Sequence, residues 1–380
     1  MNRKSDFVDL KDLRDEIDTI DIQIQQLFEK RMDVVKSVAA YKKEHHLPVL
    51  HTNRENEVLE KVADRSRAEY TESNRALFTN MMDISKCSQT QLIQNHNCYL
   101  DQSIPFSPEK AVRVACQGVP GAYSHIAAKK LFDDEKLHFY PQFDDVFRAV
   151  VNDEADYGVL PVENSNAGSV VGVYELLKKY NIYIAKRLSI KIDHCLAALP
   201  NTALSEVKEV YSHEQAIQQC SGFLEESGVT VHTYSNTAAS AELVASSKPE
   251  EYLAVICSKL AAERNGLSVI KEEIANIAEN YTRFIVISKT PCYTSEADII
   301  SVSFSLPHTA GSLYRMLTKF FVYNINMEKI ESKPIGNKNF DAMFYIDFRG
   351  NLKDHNVSVL LNDLSTDLID FKYLGNYQEI

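Results

Sequence analysis

Between positions 10 and 41 the residues Leu10, Leu13, Ile17, Ile20, Ile24, Leu27, Arg31, Val34, Val38 and Tyr41 recur by alternate steps of three and four. That spacing is a heptad seam, which requires one long helix whose apolar stripe faces another helix. The seam contains a cation, Arg31, and a polar residue at such a position also serves to set register or oligomeric state. Lys42 follows on nearly the same face, and Arg14 borders the seam near its start. Along a straight helix Arg14 and Lys42 are about 42 Å apart, too far for one small ligand. A site that uses all three cations needs an antiparallel partner helix, most economically from a second chain. The expectation is an interlocked homodimer, or a higher homo-oligomer built on it.

"TNRENEVLEKVADRSR" and "SNRALFTNMMDISKCSQTQLIQ" read as two more helices beyond Pro48, completing an all-α unit over residues 1–92. Residues 93–110 lose periodicity and gain Asn, Ser and Pro, as a linker does. Over 111–291 the runs "VRVACQ", "DYGVLPV", "NIYIAK", "VKEVYS" and "LAVICS" alternate with helical patterns, which points to a mostly parallel α/β unit. From 297 to 376, "IISVSFSL", "INMEKIESK" and "AMFYIDFRG" combine with helical patterns near 311–322 and 354–366 in the order β-α-β-β-α-β of a ferredoxin-like α+β module. The fold class is therefore multidomain, as a chain of 380 residues favours.

A net charge of -12 leaves no positive field for nucleic acid or an acidic membrane, so an anionic substrate has to be held by local cations. Seven cysteines without a CxxC pair read as reduced thiols. The N-terminal sequence has no apolar signal core and no later run is long enough for a membrane helix, so a cytoplasmic location is expected. His194-Cys195 and His213/Cys220 lack zinc spacing, and no metal is expected. A GxGxxG motif is missing from the sequence, which speaks against a dinucleotide cofactor; none is expected.

Chemistry-bearing residues gather in both large units. In the helical part Arg54 and Glu55 are adjacent, and Ser85 and Gln89 share one helical face. In the α/β part "GVPGAYSH" follows a strand and precedes a helix. Gly118 and Gly121 there permit backbone amides to approach an anion, although GxxG equally makes an ordinary tight turn. "VLPVENSNAGSV" carries Glu163 and Asn164 out of a strand end, where open α/β sheets bind ligands. "YSHEQAIQQC" repeats this with Ser212, His213 and Gln219, and "NYTRF" sets Thr282, Arg283 and Phe284 before the apolar run Ile285–Ile287.

The set "LRDEID", "EKR", Lys42, "RE" at 54–55 and Ser85/Gln89 resembles the all-helical chorismate mutases over residues 8–92. That resemblance implies a pericyclic rearrangement of chorismate to prephenate with no general base, driven by conformational trapping and fixed charge. Arg14, Arg31 and Arg54 would clamp the carboxylates with Ser85, Glu55 would hold the ring hydroxyl, and Lys42 with Gln89 would stabilise charge on the ether oxygen. His51 stands where that family usually has an acidic residue.

"GVPGAYSH", "LPVENSNAGSV", "IDHCL", "YSHEQAIQQC", "NTAASA" and "NYTRF" resemble the prephenate dehydratases in content and order. The resemblance implies two α/β lobes like a periplasmic binding protein, left after about residue 190 and re-entered near 270. Prephenate would lose water and carbon dioxide between them. It makes Thr282 the key residue at or near the proton donor, with Glu163, His213 or water as ultimate source. Arg283 would bind a carboxylate or anchor the loop, Phe284 would wall the pocket, and Asn164, Ser212 and Gln219 would orient substrate groups. "HTAGSLYRMLTKF" and "INMEKIESKP" resemble the phenylalanine-sensing ACT domain, which implies an effector site of His308, Gly311, Leu313, Glu331 and Ser332 at an interface between modules. Ser312 and Lys333 depart from that family's usual GAL and ESRP, and lysine lacks arginine's planar fork. Such a module also serves purely as a dimerisation platform. The three regions together resemble the bifunctional chorismate mutase/prephenate dehydratases under phenylalanine feedback. An arogenate-preferring dehydratase and a non-catalytic aromatic-metabolite sensor share the architecture.

Overall fold

The computed structural model describes residues 9–50, 52–94, 98–170, 172–334 and 342–380. Helix α1 spans Leu10–Glu44, starting at Asp9, whose carboxylate accepts from the Lys11 amide at 3.1 Å, and stopping ahead of Pro48. Helices α2 (Thr52–Arg65) and α3 (Thr71–Ile93) follow, and both α1 and α2 pack on α3. His51 lies outside the described residues. Only Val35 and Ala39 of α1 are buried. The seam residues predicted to face a partner helix are open to solvent, Leu27 by 65% and Val34 by 64%.

The stretch predicted as a plain linker contains a short helix, Cys98–Asp101, and a two-residue strand, Ile104–Pro105, parallel to Cys292–Tyr293. Its amides at Ile104 and Phe106 bond to the carbonyls of Pro291 and Tyr293, a pairing that needs no hydrophobic period.

Strands β1 (Val114–Gln117), β2 (Leu137–Tyr140), β3 (Tyr157–Asn164) and β4 (Tyr183–Lys191) belong to a first sheet. Helix α4 (Tyr123–Ala128) follows β1. The chain then builds a second sheet from β5 (Cys195–Ala198), β6 (Glu209–Ser212), β7 (Thr230–Thr233), β8 (Leu253–Cys257) and β9 (Ser268–Lys271), with α5 (Glu214–Gln219) after β6. It returns to the first sheet as β10 (Tyr281–Ser288). Strand orders are β2-β1-β3-β10-β4 and β9-β5-β8-β6-β7.

Two expectations are corrected here. The unit is mixed rather than mostly parallel, because β10 pairs antiparallel with both β3 and β4, and β5 pairs antiparallel with β8 and β9. Strands that return directly from the other sheet, without a helical crossover beside their partner, have no reason to run parallel. Re-entry comes near 280 rather than 270, because β9 still pairs with β5 in the second sheet.

The C-terminal segment places β11 (Ile299–Leu306), α6 (Ser312–Val322), β12 (Met327–Pro334), β13 (Ala342–Arg349), α7 (His355–Asp367) and β14 (Ile369–Tyr377) in β-α-β-β-α-β order, with sheet order β12-β13-β11-β14.

The chain divides into two compact units: the described parts of Met1–Tyr99, Phe304–Phe348 and Leu352–Phe371, and those of Leu100–Ser303, Arg349–Asn351 and Lys372–Ile380. Within the first, α3 packs against α6 and α7. Tyr323 Oη lies 2.9 Å from Asp363 and 3.2 Å from the Cys87 carbonyl. Buried Lys319 bridges Asp363 and Asp367 at 2.8 and 2.6 Å. Burial pushes the Lys319 ammonium down, but the two carboxylates outweigh it and hold the pKa above its usual value. Within the second unit, one core surrounds Phe132, Tyr157, Phe284 and Val286, and others flank the second sheet. Among the described residues no helix is long and apolar enough to cross a membrane.

Candidate active sites

The helical unit contains a cavity of about 460 Å³ lined by α1, α2 and α3. Arg31, Lys42, Arg54, Glu55, Ser85 and Gln89 all line it. Their convergence follows from the three-helix packing, which turns the polar interruptions of each apolar stripe toward one hollow. The Arg31 guanidinium donates to the Ser85 hydroxyl and, at 3.2 Å, to the Met81 carbonyl. Lys42 Nζ donates to the Val49 carbonyl at 2.7 Å. Burial lowers the pKa of both cations, with Glu55 opposing the shift at Lys42. Gln89 donates to the Ser85 carbonyl at 3.3 Å, while its buried Oε1 has no protein partner. Glu55 is gripped by Lys86 at 2.9 Å. Lys86, one turn after Asp83 on α3, also lines the cavity; that i,i+3 spacing is the one sequence signal of its place.

Arg14 is not among these residues. It lies 17 positions before Arg31 on the same helix, about 25 Å away along the axis. This chain alone does not bring it to the cavity.

In the second unit a cavity of about 520 Å³ is lined by Asn164, Gln219, Thr282 and Phe284, together with Tyr123, His194 and His213. Opposite registration of β3 and β10 sets Asn164 directly across from Thr282. Asn164 Nδ2 donates to Thr282 Oγ1 at 2.9 Å, to Asn280 Oδ1 at 2.8 Å and to the Tyr281 carbonyl at 3.1 Å. Its Oδ1 accepts from the amides of Asn166 and Ala167. A buried amide held at both ends is a fixed donor, and Thr282 Oγ1, as acceptor, keeps its own proton for another partner.

The next register pair, Glu163 and Arg283, points to the other face of the sheet, as the two-residue period of a strand dictates. Arg283 binds Glu163 at 3.1 Å and Glu379 at 3.0 Å, and Glu379 also binds buried Arg187 at 2.7 Å. Neither Glu163 nor Arg283 is among the residues lining the cavity, and the ion pairs of Arg283 match the anchoring alternative. Ser212 does not line the cavity either, and its hydroxyl donates to the Ile256 carbonyl at 2.7 Å in the core.

His194, whose spacing to Cys195 does not suit zinc, forms part of the cavity wall. Its Nε2 faces Gln219 Oε1 at 2.9 Å, and Nδ1 lies 3.3 Å from Tyr123 Oη. Burial depresses its pKa, so it is a neutral positioner of Gln219. His213 caps α5, its Nδ1 accepting from the Gln215 amide at 3.2 Å, which leaves the proton on Nε2. The Gly118-Gly121 segment is a tight turn and no anion cradle. Gly118 donates to the Tyr140 carbonyl and Gly121 to His125 Nδ1, and a Cβ on Gly121 would meet Ala261 Cα at 2.8 Å.

A third hollow of about 330 Å³ at the start of α6 is lined by His308, Ser312 and Leu313. Gly311, in the left-handed conformation, caps α6 beside it. Glu331 and Ser332 do not line this hollow; Glu331 pairs with Lys329 and Lys333 at 3.2 and 2.9 Å along β12.

The prephenate dehydratase family profile matches residues 114–292, and the type II chorismate mutase profile matches residues 13–90. The chain is 31% identical to the bifunctional chorismate mutase/prephenate dehydratase of Enterobacter agglomerans, with 96% of this chain and 95% of that protein covered. It is 33% identical to arogenate dehydratase/prephenate dehydratase 2, chloroplastic, of Arabidopsis thaliana, over 70% of this chain and 72% of that protein. Among solved structures, the prephenate dehydratase of Arthrobacter aurescens in complex with L-Phe superimposes with a TM-score of 0.63 at 27% identity, covering 70% of this chain and 89% of that one. Fold and cavities thus define a two-site enzyme that joins an all-α unit to an α/β unit of two lobes. The chain belongs to the bifunctional chorismate mutase/prephenate dehydratase family.

Proposed function

We propose that this protein converts chorismate to prephenate in the helical cavity and prephenate to phenylpyruvate in the two-lobed one, as consecutive steps toward phenylalanine, which inhibits them by feedback. The observation that carries the reading is the Asn164–Thr282 hydrogen bond at the wall of a cavity suited to a small organic acid.

In the mutase step Arg31, Arg54 and Ser85 hold the carboxylates, Glu55 holds the ring hydroxyl, and Lys42 with the second N–H of Gln89 meets the charge growing on the ether oxygen. Bond making and breaking occur within chorismate, so the residues supply only conformation and field. Arg14 enters from a partner chain whose helix covers the exposed seam of α1, and the unit is an interlocked dimer.

In the dehydratase step Thr282 donates its proton to the ring hydroxyl, which leaves as water. The carbon–carboxylate bond breaks, carbon dioxide departs, and its electron pair enters the ring. Asn164 supports the oxygen left on Thr282, and a proton from solvent, passed on by water in the cavity, restores the hydroxyl. Gln219, braced by His194, orients the substrate.

The proposed domain limits are 1–92, 111–291 and 297–376 around a 93–110 connection. The last is an ACT module that takes phenylalanine near His308 and Leu313. Seven free thiols suit a reducing cytoplasm. The name of the Arabidopsis relative raises arogenate as a second substrate. The test is kcat/KM for both compounds: preference for prephenate supports the reading, preference for arogenate replaces it, and turnover of neither overturns the enzyme assignment.

A further inference from the structure

Glu55, which lines the mutase cavity, is tied to the C-terminal module of the same compact unit. Its Oε1 is 2.9 Å from Lys86, and its Oε2 is 3.5 Å from Arg315 of α6. Arg315 forms a two-point pair with buried Asp83 of α3, at 2.9 Å through Nε and 2.8 Å through Nη2. Lys86 closes the ring by binding Asp83 at 2.9 Å.

Two cations and two carboxylates thus alternate around one circuit, and only the Glu55 and Lys86 corner opens into the cavity. Burial raises the Asp83 carboxyl, but Arg315 and Lys86 outweigh it and keep it ionised. Each Glu55 oxygen retains an acceptor site for a hydroxyl after its cation is satisfied. Without Arg315, Lys86 alone would hold two carboxylates, and Glu55 would be free to swing.

We infer that Arg315 is a positioning residue of the mutase site, holding Glu55 through the Asp83–Lys86 circuit, so that the state of helix α6 sets mutase activity. The inference rests on the proposed mutase reading. Arg315 lies one turn after Ser312, and the hollow at His308 and Leu313 lies at the start of this same helix. A ligand in that hollow that rotates or shifts α6 moves the guanidinium and with it Glu55. The carboxylate contacts of Arg31 and Arg54 lie outside this circuit, so substrate still docks and the larger part of the loss falls on turnover.

The test compares the full-length wild type with Arg315→Ala and Arg315→Lys. Mutase turnover is measured with chorismate, dehydratase turnover with added prephenate, each with and without phenylalanine. For Arg315→Ala the expected result is a mutase kcat about five- to twentyfold lower with KM changed less than about threefold. Its dehydratase kcat/KM stays at the wild-type value, and the mutase response to phenylalanine disappears. Arg315→Lys, which keeps the charge and loses the fork, recovers part of kcat.

Wild-type mutase kinetics and wild-type phenylalanine response in Arg315→Ala would overturn the inference while leaving the function standing. A wild type with no mutase activity would overturn both. Should Arg315→Ala lose dehydratase activity as well, unfolding is the cause and Arg315→Lys decides. That variant must show a lowered mutase kcat with dehydratase intact, and unchanged kcat refutes the inference.

Discussion

Replacing Thr282 by valine removes one oxygen and keeps the shape. Thr282 is 9% exposed, and its Oγ1 is one of three acceptors around Asn164 Nδ2. After the substitution Asn280 Oδ1 at 2.8 Å and the Tyr281 carbonyl at 3.1 Å still serve that amide, so no buried donor is stranded. The stability cost is that of one neutral hydrogen bond, about 1 kcal/mol. The catalytic cost is much larger, because a positioned proton donor accounts for about 10²- to 10⁴-fold in rate, or about 3–5 kcal/mol of barrier. Phenylpyruvate formation from saturating prephenate is the assay, with chorismate consumption as the internal control. We expect dehydratase kcat to fall by at least about a hundredfold, with chorismate consumption unchanged and Thr282→Ser restoring most of the rate. A valine variant that keeps more than about a tenth of wild-type kcat would refute the role assigned to this hydroxyl.

Mixing Arg14→Ala chains with Lys42→Ala chains, each inactive as a mutase, should recover about a quarter of wild-type mutase activity, since half the dimers are hybrids with one intact site each; no recovery argues against a shared site. Glu379→Gln weakens the partner of buried Arg187, and a loss of about 1–3 kcal/mol in denaturant unfolding is expected. Stability unchanged within error would show that the neutral amide suffices. The depressed pKa values of buried His125 and His194 mean that the unfolded chain takes up protons first. Their contribution is therefore complete above the unfolded histidine value of about 6.5 and shrinks as pH falls below it. The guanidinium midpoint should drop between pH 7 and 5, less steeply in His194→Gln, and an equal slope in that variant would rule out His194 as a source.

Long, strongly periodic segments are legible in the sequence itself. The α1 seam, the α6 and α7 patterns and the alternating strand at 299–306 lie where their spacing placed them. Strand β7 has four mostly solvent-facing residues, β9 has only two adjacent apolar residues, Val269 and Ile270, and β5 has only one large apolar side chain, so none carries a clear strand period in the sequence.

At the sites, Arg31, Lys42, Arg54, Glu55, Ser85 and Gln89, singled out in the sequence, line one cavity of the helical unit, and Arg14 does not. Alternation along β3 and β10 already sets Glu163 and Arg283 on the face opposite to Asn164 and Thr282. The pairing of Arg187 with Glu379 and of Asp83 with Arg315 was not legible. Both join residues some two hundred positions apart through tertiary packing that no local period announces.

The central claim is that one chain carries both reactions in sequence. Purified protein given chorismate alone, without phenylalanine, should consume it and release one phenylpyruvate and one carbon dioxide for each chorismate lost. Chorismate that persists, or prephenate that accumulates without phenylpyruvate, would contradict it.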